Sequence, residues 1–142
     1  MSYFTRTHLE AEIPAADLVA LLDDDHDGSE DSGVYAAVAS RAEARIDAIL
    51  APRYPVPFAD GAVPRPVQDA ALMACCAALY RRRGTPDAEN PFAVREASVL
   101  ATLRECAAGT ADLDAALDAS GAVAVIPTES LNWALPNQEG LC

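Results

Sequence analysis

Asp23, Asp25 and Asp27, set two apart and followed by Gly28, are the residues of this chain best spaced to do chemistry. They form the opening half of a calcium loop, in which alternate carboxylates converge on one hard cation and a glycine makes the sharp turn. The second half fails, because the place of the bidentate glutamate holds Val34. The three aspartates are thus candidate metal ligands of an incomplete set. The competing reading is a solvated acidic turn over 23–33 that ends in a helix cap at Asp31 or Ser32. His8 and His26 sit in no ligand spacing with a cysteine or with each other. Cys75 and Cys76 are neighbours in an apolar run, and Cys106 and Cys142 stand apart. They read as small buried hydrophobes in a reducing compartment. No nucleophile with its base can be assembled, and no glycine-rich phosphate loop is present. The expectation is a chain with no cofactor and no enzymatic role.

The elements that must carry these residues are helices. Apolar residues make up 51% of the chain, much of that alanine, and aromatics only 6%. Alanine is the strongest helix former, and β-branched residues are sparse. An all-α fold follows, a small bundle of about four to five helices, and 142 residues are enough for one real core. The net charge of −12 argues against a protein that grips nucleic acid by its phosphates. It leaves room for a surface that DNA passes without sticking. Every basic residue is arginine. The opening residues lack an apolar targeting core. The longest apolar run, 70–80, is shorter than the roughly 20 residues that span a bilayer, so no membrane association is expected.

Along the chain, Thr5 can cap a short helix reaching Ile13, and Pro14 can open a second over 15–22. Tyr35, Val38, Ala42, Ile46 and Ile49 line one face of a helix over 34–51, stopped by Pro52. Arg53, Tyr54, Pro55, Val56, Pro57 and Phe58 then make a stiff, extended arm. Pro64 and Pro66 start a helix running to Arg83, apolar on every side over 70–80 and therefore central. Asn90 and Pro91 provide a capping side chain and a first helical residue for a helix ending near Ala108, before Gly109.

Charges on these helices need partners. Arg41 and Arg45 flank one edge of the 34–51 stripe, and Glu43 and Asp47 the other. Like charges four apart repel by about 0.2–0.5 kcal/mol per pair, so each edge should meet opposite charge elsewhere. That partner is either the next copy in a head-to-tail ring, or the same chain and water. Arg41, Arg45, Glu43, Asp47, Arg53 and Tyr54 are the candidates for a subunit interface. Arg81, Arg82 and Arg83 suit the negative end of a helix dipole, and can pair with the chain's many carboxylates or contact DNA or an acidic partner. Glu96 falls mid-stripe and needs a cation, the nearest in sequence being Arg81 to Arg83. Beyond Gly109 the character changes to an extended, partly β-capable tail. Val123, Val125, Ile126, Leu131 and Trp133 are its candidate docking residues, as a strand-addition strip with a tryptophan anchor, the alternative being that the tail covers its own subunit's helices. The division expected is a helical domain over 1–113 and a docking tail over 114–142.

Taken together, Tyr3 before a short capped helix, the acidic loop, the sequence Arg53-Tyr54-Pro55-Val56-Pro57 after a helix, and a helix ending in Leu79-Tyr80-Arg81 carry a resemblance. The chain resembles the head–tail connector (adaptor or head-completion) proteins of tailed phages, in particular the Mu-like group. The resemblance covers about residues 1–113. It implies a structural virion protein of the neck, made in the host cytoplasm. It implies self-association in a ring, commonly twelve-fold, beneath the portal protein. Such a ring extends the DNA channel without sequence-specific binding and offers a platform to the next neck or tail protein. The alternatives are a stopper or tail-completion factor, which tend to be β-rich, and a soluble helical regulator that binds another protein.

Overall fold

The computed structural model describes residues 2–113. Five helices follow in order: α1 (Arg6–Glu12), α2 (Ala15–Leu22), α3 (Val34–Leu50), α4 (Arg65–Arg82) and α5 (Ala93–Ala108). Among the described residues there is no strand, and the protein is a small all-α bundle. None of these helices is long and apolar enough to cross a membrane. The β-capable tail expected over 114–142, with Val123, Val125, Ile126, Leu131 and Trp133, lies outside the described residues.

Helix α4 is the centre. The long helices α3 and α5 pack against it and touch each other, and the short α1 and α2 also pack against it. Ala71, Met73, Ala74, Cys75 and Cys76 are all buried, and at about 100° per residue they go round the whole helix. Alanine and cysteine keep α4 thin, so neighbouring backbones approach closely. Cys75, Cys76 and Cys106 are free and buried. Burial pushes the Cys75 thiol up to about 12 and moves Cys76 in the same direction, which keeps both protonated and unreactive.

Local signals set most helix ends. Thr5 caps α1 by accepting from the His8 amide at 3.3 Å, and His8 Nδ1 accepts in return from the Thr5 amide at 3.2 Å. This is a capping box with histidine where glutamate or glutamine is usual. Gly109, at φ 88°, ends α5 in the left-handed conformation that glycine adopts without strain.

Two starts differ from expectation. Helix α3 is entered through Gly33, at φ 84° and with no side-chain cap, and neither Asp31 nor Ser32 caps it. The Asp31 carboxylate folds back to accept the amides of Asp24 and Asp25. Helix α5 begins at Ala93, with Phe92 in the cap position, later than Asn90 and Pro91 propose. Asn90 is buried and bridges elements: its Nδ2 donates to the Ala77 carbonyl of α4 at 3.0 Å, and its Oδ1 accepts from the Phe92 amide at 3.0 Å. The oxygen end of the side chain still caps the turn leading into α5, as local rules propose, and its nitrogen end is taken by a distant carbonyl.

The proline arm does not run straight out from α3. The amides of Arg53 and Tyr54 turn back to the Leu50 carbonyl, and the Val56–Pro57 bond is cis. Tyr54, Val56 and Phe58 are half-buried against the chain's own core.

Candidate functional site

Three long helices meet at one carboxylate. Glu96, in the first turn of α5, is only 3% exposed. Its Oε1 accepts from Arg45 of α3 at 2.8 Å, and its Oε2 from Arg81 of α4 at 2.6 Å. Arg81 also donates to Asp87 at 2.7 Å. The hydrogen bonds to Glu96 and Asp87 hold the Arg81 guanidinium well above its usual range. Arg81 is the partner that the position of Glu96 called for. Arg45 is a second one, on the helix edge considered for a contact between copies.

The opposite edge of α3 is occupied by the start of the chain. The Tyr3 amide donates to Glu43 Oε2, and the Tyr3 hydroxyl donates to Asp47 Oδ1. That hydroxyl also accepts from the Phe58 amide at 3.0 Å, and the Tyr3 and Phe58 rings pack edge-on with centroids 6.0 Å apart. Tyr3 thus joins the N-terminal segment, α3 and the proline arm. Burial first, then the hydrogen bond to Asp47, pushes its hydroxyl up to about 12 from an ordinary 10.0. A group raised on folding stabilises fully below its unfolded value, and that contribution is lost as pH rises through the folded one. Below pH 10, Tyr3→Phe should therefore cost about 1.5–3 kcal/mol for a bond to a charged acceptor, read as a lower urea midpoint. The gap between variant and parent should close between pH 10 and 12. A gap independent of pH over that interval would exclude the Tyr3–Asp47 bond as its source.

The arm is anchored at its other end too. Arg53 lies over the Tyr54 ring at 5.4 Å and donates through one nitrogen to the carbonyls of Cys106 and Ala111, each at 2.8 Å. This ties the arm to the last turn of α5, where the Cys106 carbonyl also accepts the Gly109 amide, and to the segment just after it. The Tyr54 hydroxyl accepts from the Leu113 amide at 3.2 Å. Of the six interface candidates, Arg45, Glu43, Asp47, Arg53 and Tyr54 are engaged within the chain. Arg41 makes no hydrogen bond or ion pair among the described residues. It stands beside an open groove of about 180 Å³ whose floor is Val38, Ala42, Ala74 and Ala78.

The acidic loop does gather its three aspartates, with ligand oxygens all within 4.8 Å of one another. The loop's own donors meet these oxygens. Asp23 accepts the amides of Asp27 at 3.2 Å and Gly28 at 2.9 Å, and Asp27 accepts the amide and hydroxyl of Ser29 at 2.8 and 2.7 Å. Burial alone would raise the Asp23 carboxyl, but the amides of Gly28 and Asp27 outweigh it and hold the group below its ordinary range. Arg82 and Arg83 then clamp the loop to the end of α4 through Asp24, at 2.7 and 3.2 Å. Two of the three consecutive arginines are thus spent on the loop and the third on Glu96.

Sequence reasoning missed Tyr3 as a junction and Arg45 as a ligand of Glu96. The first has no periodic signal, since residue 3 precedes every helix. The second was legible only as an unexplained like-charge pair on α3.

The geometry defines a small acidic helical bundle, braced by ion pairs that cross from helix to helix. The family described as "Bacteriophage Mu, Gp36" matches residues 3–125, and the chain belongs to it: this is a Mu-like phage protein. Searches of curated proteins and of solved structures each return no significant match.

Proposed function

We propose that the chain is a structural virion protein of the phage neck, a head–tail connector (adaptor) that forms a ring beneath the portal. The family match over residues 3–125 carries this reading. The ring, twelve-fold as the resemblance implies, extends the DNA channel and gives the next neck or tail protein a platform. The net charge supports it: a wall of a protein at −12 repels phosphates and lets the duplex slide. The all-helical fold of the described residues speaks against a stopper or tail-completion factor of the β-rich kind. On this reading the chain makes and breaks no bond in a substrate, and needs no cofactor.

Electron microscopy of the neck, with mass spectrometry of purified particles, tests the assignment. The expected result is a ring of this chain between portal and tail. Mature particles without the polypeptide would leave the regulator reading in its place. For the tail, deletion of residues 122–142 should abolish attachment to the portal while the helical circular dichroism of the bundle remains. Normal portal binding by that truncated chain would remove the tail from the docking role.

A further inference from the structure

The groove between α3 and α4 combines two features that seldom meet in this chain. Its floor is apolar, made by Val38, Ala42, Ala74 and Ala78, and its rim carries Arg41, Arg45 and Arg82. Ten arginines serve the entire protein against twenty-two carboxylates, and three of the ten line this one groove. Arg45 is drawn to Glu96, and Arg82 to Asp24 and the Leu21 carbonyl. Arg41 is exposed, and no described residue engages it. A shallow apolar strip beside an uncommitted cation fits an acidic, apolar peptide.

The chain itself contains such a peptide. Residues 114–142 include Asp114, Asp118, Glu129 and Glu139 and not one basic residue. Within them Leu131, Trp133 and Leu135 alternate with small or polar residues, two positions after Glu129. The described chain ends at Leu113, which is buried and held by Tyr54 just past the end of α3. Helix α3 is about 25 Å long at 1.5 Å per residue, and residues 114–128 reach about 50 Å when extended at 3.3 Å each. The groove is within that reach, and a tether of this length holds the segment near it at an effective concentration of order millimolar.

We propose that, in the free and unassembled chain, this groove receives residues 129–135 of the same molecule. Leu131 and Trp133 cover the apolar floor, and Glu129 meets Arg41. The contact stows the tail's apolar side chains until a competing surface takes them. It concerns the chain before assembly, and stands or falls separately from the ring.

Trp133 is the single tryptophan, so its fluorescence reads the contact directly in the full-length protein. The expected emission is blue-shifted and weakly quenched by acrylamide, and unchanged on dilution. Arg41→Glu should shift it to the red and increase quenching while circular dichroism stays the same, because Arg41 makes no hydrogen bond or ion pair among the described residues. Adding Glu129→Arg to Arg41→Glu should restore the blue shift by exchanging the two charges. A red, freely quenched Trp133 in the parent chain would overturn the proposal. So would a blue shift indifferent to Arg41→Glu, which puts the tail on another surface, or one that fades on dilution, which makes the occupant a second copy's tail.

Discussion

Replacing Arg45 and Arg81 together with alanine should destabilise the fold by about 3–5 kcal/mol, the usual cost of leaving a buried charge without its partners. Glu96 is 3% exposed, and each of its oxygens is held by one of these two guanidinium groups. Removing either arginine alone leaves one charge-assisted bond in place, so each single variant should lose about 1–3 kcal/mol. The two losses should not add simply, because both residues serve one carboxylate. Domains of this kind are stable by about 5–15 kcal/mol in total, so the double variant should melt well below the parent. Adding Glu96→Leu should recover most of the loss, since an apolar side chain of similar volume needs no counter-charge. Urea titrations of the parent and the four variants decide the matter. A double variant as stable as the parent would mean that water reaches Glu96 and that the bridge between α3, α4 and α5 is incidental.

The second large effect is expected at the centre of α4. Leu79 is fully buried, and Leu79→Ala should cost about 2–5 kcal/mol through lost burial and the cavity left behind. The more telling change goes the other way. Ala71 is also fully buried, and Ala71→Leu adds apolar surface that simple transfer energetics would count as a gain. The prediction is a loss of about 1–3 kcal/mol or more, because the neighbouring helices are set at the distance an alanine permits. Equilibrium unfolding with near-ultraviolet circular dichroism checks both variants. An Ala71→Leu protein with an unchanged or higher midpoint would show slack packing around α4, contrary to its place between the other helices.

On the connector reading proposed above, these two predictions also bear on assembly. A ring subunit must present the same surface to each neighbour, so a bundle with shifted helices should fail in assembly before it fails in folding. The ion bridge and the thin central helix are the features that set the angles among α3, α4 and α5. Variants that keep helicity and lose the bridge should therefore separate folding from incorporation into particles.

What the chain alone determined is the set of helices and most of their ends. Alanine-rich runs, the Thr5 cap, the stop at Pro52 and the glycine after α5 act over a few residues, and local energetics suffices to place them. The centrality of α4 was equally legible, since a helix without a polar face has to be surrounded. So was the need of Glu96 for a cation, because a mid-stripe carboxylate is costly to bury alone. Tertiary structure decided where the polar side chains go. Asn90 was legible as a cap through its oxygen, and only the approach of α4 gives its nitrogen the Ala77 carbonyl. Asp31 could cap α3 or close its own loop, and the loop's amides claim it. The two like-charged edges of α3 looked alike in sequence. The acidic edge faces Tyr3, and the basic edge is divided between Glu96, at Arg45, and the α3–α4 groove, at Arg41. Hydrogen bonds and ion pairs are satisfied by whichever donor or acceptor comes within about 3 Å, and that distance is a property of the packed helices.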